Sequence, residues 1–382
     1  MDHHATTPVD PRVLEAMLPY FTEIFGNAAS TDHTYGLEAK HAVDMARQQI
    51  ANAIKAQPDE VIFTSGATEA NNLAIIGVAE QYRDKGNHII TCVTEHPAVL
   101  YTCRYLERKG WKVTYLPVDQ QGLIYTDDVR KAITPETVLI TIMAANNEIG
   151  VLAPVAEIGQ IARQHEVLFH TDATQALAYV PIAVESMNID LLSMSGHKIY
   201  GPKGIGALYV RKRYPRVRLA EQIHGGGHER GMRSGTLNVP GIIGLGKALE
   251  IAVNEMKVEG ERIRKLRDRL WQGLQENIEG IELNGHPTKR LPNNLSVAIP
   301  GVENRSLLVH LKYHIAISTG SACTTAKVEP SHVILALGKG ESTAHHSLRF
   351  GLGRNTTEDE IEFAVSRVIT AARKLQMLQD IL

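Results

Sequence analysis

The residue of this sequence with the clearest chemical potential is a lysine among small and flexible neighbours. Lys198 lies in Ser195-Gly196-His197-Lys198-Ile199-Tyr200-Gly201-Pro202-Lys203-Gly204, directly after a predicted strand. A lysine in a partly dehydrated pocket can lose its proton and form a Schiff base. Ser195 and His197 are flanking donors for a phosphate and a substrate. A single lysine in a loop is more often only solvated, so the assignment needs further motifs.

An acidic residue ends another predicted strand. Asp172 follows the apolar strand in Phe169-His170-Thr171-Asp172-Ala173-Thr174-Gln175. A carboxylate there can pair with the protonated ring nitrogen of a pyridoxal cofactor. On this segment alone, an Asp that caps the next helix is equally consistent. One strand–helix–strand unit separates Asp172 from Lys198, so both side chains can face the same crevice.

A third segment has the composition of a phosphate-binding turn. Thr64-Ser65-Gly66-Ala67-Thr68-Glu69 leaves a predicted strand and opens a predicted helix. Backbone N–H groups at a helix start, together with the helix dipole, bind anions. Taken alone, the segment favours an ordinary Ser/Thr helix cap over a phosphate site.

The three cysteines fall into two groups. Cys92 lies in an apolar run and Cys103 in a predicted helix, so both are interpreted as small buried residues. Cys323 lies in Gly320-Ser321-Ala322-Cys323-Thr324-Thr325-Ala326-Lys327, whose small residues predict an exposed, mobile loop. That segment alone leaves a reactive and an incidental thiol equally open. The scattered cysteines and the histidine pairs lack metal-ligand spacing, so no metal site is predicted.

Bulk composition excludes several classes of function. The net charge of −2 provides no basic excess for a nucleic-acid backbone, so nucleic acid is not an expected partner. No apolar run approaches the length of a membrane span. The start Met1-Asp2-His3-His4 lacks the features of a signal peptide, so the expected location is the cytoplasm.

The elements that must position these residues alternate between strands and helices. The predicted strands are Val61–Thr64, His88–Val93, Lys112–Leu116, Val138–Met143, Val167–Thr171, Leu191–Ser195 and Ile205–Val210, and helices such as 69–83, 98–109 and 155–164 separate several of them. This alternation predicts a mostly parallel sheet covered on both faces, with ligands at the carboxyl ends of its strands.

After Pro240 the pattern changes. A long predicted helix over 242–276 is followed by short strands at 295–299, 316–318 and 348–350 and by helices at 305–312 and 358–375. We therefore expect an N-terminal segment (1–15) that packs with the small domain, a large cofactor-binding domain (16–255) and a small α+β domain with the cysteine loop (256–382).

Together these motifs resemble the cysteine desulfurases, in the group typified by NifS and IscS, within the class V aminotransferases. The cofactor-lysine segment 195–204, the opening 2–8, the turn 64–69 and segments 146–150, 172–175, 225–236 and 318–323 all match in order. The resemblance implies an α/β fold of the pyridoxal-phosphate-dependent transferase type I, with a mostly parallel seven-stranded sheet and a smaller α+β C-terminal domain.

The resemblance also implies roles for individual residues. Lys198 would carry pyridoxal 5′-phosphate, His96 would stack on its ring, and Asp172 would hold the ring nitrogen protonated. Asn147 and Gln175 would touch the ring substituents, and Asn147 would also contact the substrate. Phosphate contacts are implied for Ala67, Thr68, Ser195 and His197, and for Thr236 across a homodimer. Arg349 would bind the substrate carboxylate, for which a guanidinium fork is suited.

The implied activity is conversion of L-cysteine to L-alanine, with the sulfur left as a persulfide on Cys323. Lys198 and His96 would move protons, and the sulfur would pass to an iron–sulfur scaffold or another acceptor, including the machinery of tRNA thiolation. A transient iron–sulfur ligand is a further role for Cys323. Two alternatives remain: a selenocysteine lyase or aminotransferase on the same fold, and a sulfur carrier or cluster-binding protein without catalysis.

Overall fold

Two β-sheets of unequal size organise the chain in the computed structural model, which describes residues 1–319 and 329–379. Cys323 therefore lies outside the described residues. Within the described part, no helix has both the length and the apolar character needed to cross a membrane.

The larger sheet has seven strands. They are β1 (Val61–Thr64), β2 (His88–Cys92), β3 (Lys112–Leu116), β4 (Thr137–Thr141), β5 (Leu168–Asp172), β6 (Leu191–Ser195) and β7 (Gly206–Val210), in the spatial order β1-β7-β6-β5-β4-β2-β3. β7 is antiparallel to both of its neighbours, and every other pair is parallel. The mostly parallel seven-stranded sheet predicted from the sequence is confirmed.

Helices cover both faces of this sheet. Those before β7 are α1 (Pro11–Met17), α2 (Pro19–Thr22), α3 (Thr34–Ile54), α4 (Ala67–Gln81), α5 (Pro97–Glu107), α6 (Thr126–Ala132) and α7 (Val155–Gln164). Successive strand residues alternate between two cores, because side chains in a strand point to opposite faces. Ile89 packs with the core under α4 and α5, whereas the next residue, Ile90, packs with the core under α3 and α7.

A three-stranded antiparallel sheet forms the second centre. Its strands are β8 (Glu282–Leu283), β9 (Asn294–Ala298) and β10 (Ser347–Gly351), in the order β10-β9-β8. The remaining helices are α8 (Val239–Gln275), α9 (Asn304–Leu311), α10 (His332–Ala336), α11 (Gly340–His345) and α12 (Glu358–Gln379). Buried residues of α8, α9, α12 and this sheet share one apolar core.

The long helix α8 belongs to both centres. Its first half contributes Ile242 and Leu249 to the core of the large sheet, and its second half contributes Ile263 and Leu270 to the core of the small sheet. The predicted domain boundary at residue 255 falls inside this helix, and the division of the chain into domains stays a prediction.

One predicted strand is wrong. Residues 316–318 form no strand, and only Ser318 makes an isolated antiparallel bridge, to Arg349. Ser318 alone pairs with β10, so residues 316–318 do not extend the small sheet as a ladder. The helices within residues 10–57, namely α1, α2 and the 21-residue α3, are not among the predicted elements.

Candidate active site

Lys198 lies at the carboxyl end of β6, in a short 3-10 turn spanning Gly196–Lys198. Its Nζ donates hydrogen bonds to the backbone carbonyls of His4 and Ala5, the latter at 2.7 Å. Burial, followed by the positive charge of Arg349, lowers the pKa of the Lys198 amine to about 8, although Asp2 and Asp172 oppose the shift. A neutral, nucleophilic amine is therefore far more accessible here than on a solvated lysine.

Asp172 ends the neighbouring strand β5 and is only 6% exposed. One carboxylate oxygen, Oδ2, accepts a hydrogen bond from the Asn71 side-chain amide at 2.7 Å, and the other, Oδ1, accepts one from the Thr174 N–H at 3.0 Å. Two donors hold the carboxylate in one orientation without neutralising it. Asn71 was not identified from the sequence, because a single Asn inside helix α4 has no signal of its own.

His96 is the N-cap residue of α5, and its Nδ1 accepts the Ala98 N–H at 3.1 Å. This contact leaves the ring proton of the neutral imidazole on Nε2. Burial lowers the pKa of His96, whereas the negative charge of Asp172 raises it and the charge of Lys198 lowers it. Because the charges of Asp172 and Lys198 both act on the pKa of His96, we interpret the three side chains as parts of one site.

The residue before His96 adds a second buried carboxyl group. Glu95 is fully buried, and its Oε1 accepts the Met143 N–H at 2.7 Å. Burial raises the pKa of Glu95 well above its usual value, and the negative charge of Asp172 acts in the same direction. A raised pKa favours the neutral form of Glu95, which then adds no negative charge beside Asp172.

The predicted phosphate residues surround the start of α4. Gly66 is its N-cap residue with φ of 156°, and no side chain of the described residues caps the helix. The first N–H groups of a helix, here those of Ala67 and Thr68, have no partner within the helix. Ser195 Oγ lies 3.9 Å from the point that a Cβ on Gly66 would occupy. This helix start is a suitable anion site.

His197 lies next to Lys198 in the turn after β6. Its Nδ1 is 3.1 Å from Thr6 Oγ1, and its backbone carbonyl accepts the Thr7 N–H at 2.9 Å. Burial, with the charges of Lys198 and Lys203, lowers the pKa of His197 to about 4. A neutral His197 is thus a hydrogen-bonding group rather than a cation at neutral pH.

Gln175 contacts His4, a residue of the opening segment 2–8 for which no role was predicted. Its Oε1 is 3.0 Å from His4 Nδ1, and its Nε2 donates to the His4 carbonyl at 3.2 Å. That same carbonyl accepts a hydrogen bond from Lys198. Burial, then the charge of Arg349, lowers the pKa of His4 to about 3, so its ring is neutral. His4 is therefore a further polar wall of the site.

Arg349 lies in β10 and is 4% exposed. Its Nη1 donates to the Asn147 carbonyl at 2.7 Å, and its Nη2 lies 3.3 Å from the Asp2 carboxylate. Nε is buried and has no hydrogen-bond partner among residues 1–319 and 329–379. The positive charge of Arg349 lowers the pKa of both Lys198 and His4, so we interpret Arg349 as part of the same site.

Two predicted site residues are not brought into this group. Thr236 is exposed in the single chain, and its contact with a second subunit stays a prediction. Cys323 lies outside the described residues, although Ser318, a few positions earlier, pairs with Arg349 through two backbone hydrogen bonds of 2.7 and 3.2 Å. In the described part of the chain, no group of three or more His, Cys, Asp or Glu side chains could hold a metal ion.

The other two cysteines are confirmed as buried residues. Cys92 and Cys103 are both 0% exposed. Burial raises the pKa of both thiols, that of Cys92 to about 12.

Comparisons with known proteins agree over the full length. Residues 1–363 match the family model "Aminotransferase class-V". "Cysteine desulfurase IscS" from Anaeromyxobacter dehalogenans (strain 2CP-C) is 51% identical over 381 residues, which is 100% of this chain and 94% of the relative.

Solved structures are similar over the same extent. A structure entitled "NifS-like protein" has a TM-score of 0.89 at 38% identity and covers 100% of this chain and 98% of its own. A structure entitled "SspA in complex with cysteine" has a TM-score of 0.81 at 38% identity, with 93% and 99% of the two chains covered.

Proposed function

This chain belongs to the class V aminotransferase family, and from that premise we propose that it is a cysteine desulfurase. The observation that carries the proposal is the 51% identity of the whole chain to a relative of that name, and the charges of Arg349 and Asp172, which both act on Lys198, support it. An amine for the cofactor, a carboxylate for its ring and a guanidinium for the substrate carboxylate are what the reaction requires.

The residues of the site fit pyridoxal 5′-phosphate. The uncapped start of α4 (Ala67, Thr68), with Ser195 and His197, supports binding of its phosphate. Thr174 Oγ1 and His4 Nε2 are buried without a hydrogen-bond partner in the described ranges, so polar atoms near Asp172 and Lys198 are left for a bound group. When bound, the cofactor would supply an electron sink for negative charge at the substrate α-carbon.

Asp172, His96, Asn147 and Gln175 would hold the ring of the cofactor. The carboxyl group of Asp172 would pair with the ring nitrogen, and its hydrogen bond from Asn71 fixes its orientation. His96 is held by its Ala98 contact with a proton on Nε2, which suits stacking and proton exchange with the substrate.

Lys198 would move the α-proton. Because its pKa is about 8, about one in ten of these amines is neutral at pH 7, compared with far fewer for a lysine of ordinary pKa. The carbonyls of His4 and Ala5 hold the amine on the side of the N-terminal segment. Arg349 would bind the substrate carboxylate and thereby aim the α-carbon at Lys198.

Cys323 would accept the sulfur. Its thiolate attacks the substrate sulfur, an S–S bond forms as the carbon–sulfur bond breaks, and the electron pair of the broken bond stays with the carbon fragment. Protonation of that fragment gives alanine and leaves a persulfide on Cys323. No external oxidant is needed, because the β-carbon of the substrate keeps both electrons of the broken bond and is reduced as the two sulfur atoms are oxidised.

The partners follow from this chemistry. The persulfide would pass to an iron–sulfur scaffold or another acceptor, with Cys323 as a transient cluster ligand, and the protein would work in the cytoplasm. We further propose a homodimer in which Thr236 contacts the phosphate of the neighbouring subunit. Three apolar side chains at and just after α1 and α2 are each more than half exposed: Leu18, Phe21 and Phe25. Their exposure supports the proposal that the second subunit covers this region.

The proposal is tested by adding L-cysteine to the pure holoenzyme and measuring alanine, sulfide and the persulfide on Cys323. Equimolar alanine and persulfide are expected, and Cys323→Ser should abolish both while the absorbance of the bound cofactor remains. An aminotransferase would keep its activity in Cys323→Ser, and a selenocysteine lyase would prefer selenocysteine. A sulfur carrier without catalysis would tolerate Lys198→Ala. Any of these three results would refute the proposal.

A further inference from the structure

A short hairpin after β4 contacts both Arg349 and the segment near His96. It spans residues 146–151, closed by the Asn146 N–H to the Val151 carbonyl at 2.9 Å and the Gly150 N–H to the Asn146 carbonyl at 3.0 Å. The hairpin carries Asn147, and the Asn146 side chain ties it to the Thr94 carbonyl near His96 at 2.9 Å.

Three successive carbonyls of this hairpin accept hydrogen bonds from side chains of the small-sheet region. Arg349 donates to the Asn147 carbonyl at 2.7 Å, Asn294 to the Glu148 carbonyl at 3.1 Å, and Arg290 to the Ile149 carbonyl at 2.9 Å. The hairpin carbonyls that hold Arg349 therefore belong to the same row that binds Asn294 and Arg290. Neither of these two residues has an assigned role in the site.

Arg290 is the unusual member of this row. It is 5% exposed, and within residues 1–319 and 329–379 it forms no salt bridge with a carboxylate. Its acceptors are the carbonyls of Ile149 and Asn284 and the Asn294 side-chain oxygen, at 2.9, 3.2 and 2.8 Å. A buried cation without an anionic partner is costly, so an apolar residue would suit packing better.

The planar guanidinium explains why an arginine is needed here. It donates to Ile149 and to Asn294 at the same time, and so adds a side-chain link between the hairpin and β9 beside the backbone hydrogen bond from the Leu291 N–H to the Gly150 carbonyl. β9 pairs with β10 in register, with Ser296 opposite Arg349. A lysine ammonium is a point charge that cannot bridge the same acceptors in one plane.

We propose that Arg290 is a positioning residue that sets the affinity for substrates bearing a carboxylate. It acts through the carbonyl row on Arg349 and touches neither cofactor nor substrate. This inference rests on the proposed function, because it assigns the substrate carboxylate to Arg349. It predicts a selective effect: ligands with an α-carboxylate lose affinity when Arg290 is changed, and amines without one do not.

The test compares the Arg290→Lys holoenzyme with the wild type. KM for L-cysteine should rise about tenfold with kcat within about twofold, since a small misplacement of a binding group weakens uniform binding. Titration of the cofactor absorbance should show the same loss of affinity for L-alanine and unchanged affinity for cysteamine, which lacks the carboxylate. Arg267→Lys is the matched control, because Arg267 is similarly buried, pairs with Asp268 and, within the described residues, donates no hydrogen bond to the hairpin itself.

Asn294→Ala supplies a second variant should Arg290→Lys fold poorly, since it removes one of the three acceptors of Arg290 and the donor to Glu148. It should show the same selectivity. Equal losses for L-alanine and cysteamine, or no loss in either variant, overturn the proposal. Should the wild type bind L-alanine but release no alanine from L-cysteine, the proposed function fails while the two titrations still decide the role of Arg290.

Discussion

At the scale of single residues, the site depends on the charge state of one amine. Lys198 is half-buried near Arg349, and both effects disfavour its protonated form. Its hydrogen bonds go to two neutral carbonyls, and the opposing charges of Asp2 and Asp172 restore the ordinary pKa only in part. A half-buried amine without an ion pair is prepared for nucleophilic attack on an aldehyde.

The pH dependence of cofactor capture follows from this pKa. In cofactor-free protein, only neutral Lys198 can react, so the capture rate should rise about tenfold per pH unit up to about pH 8 and then level off. Stopped-flow absorbance of the bound cofactor measures it. Arg349→Met removes a positive charge, which raises the pKa of Lys198 and should move this limb to higher pH. Ionisations of the cofactor itself are common to both proteins, so an unshifted limb would contradict the assignment.

The placement of single residues was predictable where the local sequence marks the end of a strand. Lys198 and Asp172 both follow predicted strands, and parallel strands end at one edge of a sheet. The contacts of Asn71 and His4 could not be predicted in the same way. His4 meets Lys198 across 194 positions of the sequence, and no periodicity encodes a contact of that kind.

At the scale of elements, the meeting of β6, β7 and the start of α4 shapes the proposed phosphate site. Gly206 begins β7, and a Cβ on it would lie 2.4 Å from the Met194 carbonyl oxygen and 2.7 Å from Gly66 Cα. Real Cβ atoms do not approach other atoms so closely. Glycine at position 206 is therefore what lets the α4 start lie against the sheet.

Gly206→Ala should displace Gly66 and weaken cofactor binding. We expect at least a tenfold rise in the dissociation constant of pyridoxal phosphate and a lower melting temperature, because overpacking a close contact typically costs about 1–3 kcal/mol. Equilibrium dialysis and calorimetry measure the two effects. Gly260→Ala in α8 is the control, since its new methyl group would meet nothing nearer than 4.0 Å and should leave cofactor affinity unchanged. Wild-type affinity in Gly206→Ala would disprove this account.

Element boundaries were predictable where the pattern is local. The predicted strands of the large sheet differ from the observed ones by two residues at most, because short apolar runs between helices mark them well. The antiparallel direction of β7 and the 146–151 hairpin were not predicted. Both depend on which neighbour a strand or loop meets, and that is decided by the assembled sheet.

At the scale of the whole molecule, α8 makes the two cores mechanically dependent. Its 37 residues pack first against the large sheet and then against the small one. Arg349 belongs to the small sheet, and Lys198 follows a strand of the large one. The proposed site therefore requires the two sheets to keep their relative position. A break between the halves of α8 should therefore harm the site without touching it.

Val258→Pro tests this dependence. Val258 is 72% exposed between the two packed halves of α8, and a proline inside a helix costs about 3 kcal/mol or more. A lower melting temperature and a raised KM for L-cysteine are expected together. Val258→Ala, which keeps the helix, should behave like the wild type. If the proline variant loses stability but keeps its KM, the two centres are held together by other contacts.

The burial of Cys92 and Cys103 has a practical consequence for studying sulfur transfer. The sequence has three cysteines, and these two are enclosed with thiols that stay protonated at neutral pH. Alkylating reagents act on thiolates, so the folded native chain should be modified at one position alone. Mass spectrometry of the intact protein can then count sulfur atoms on Cys323 without replacing any other side chain.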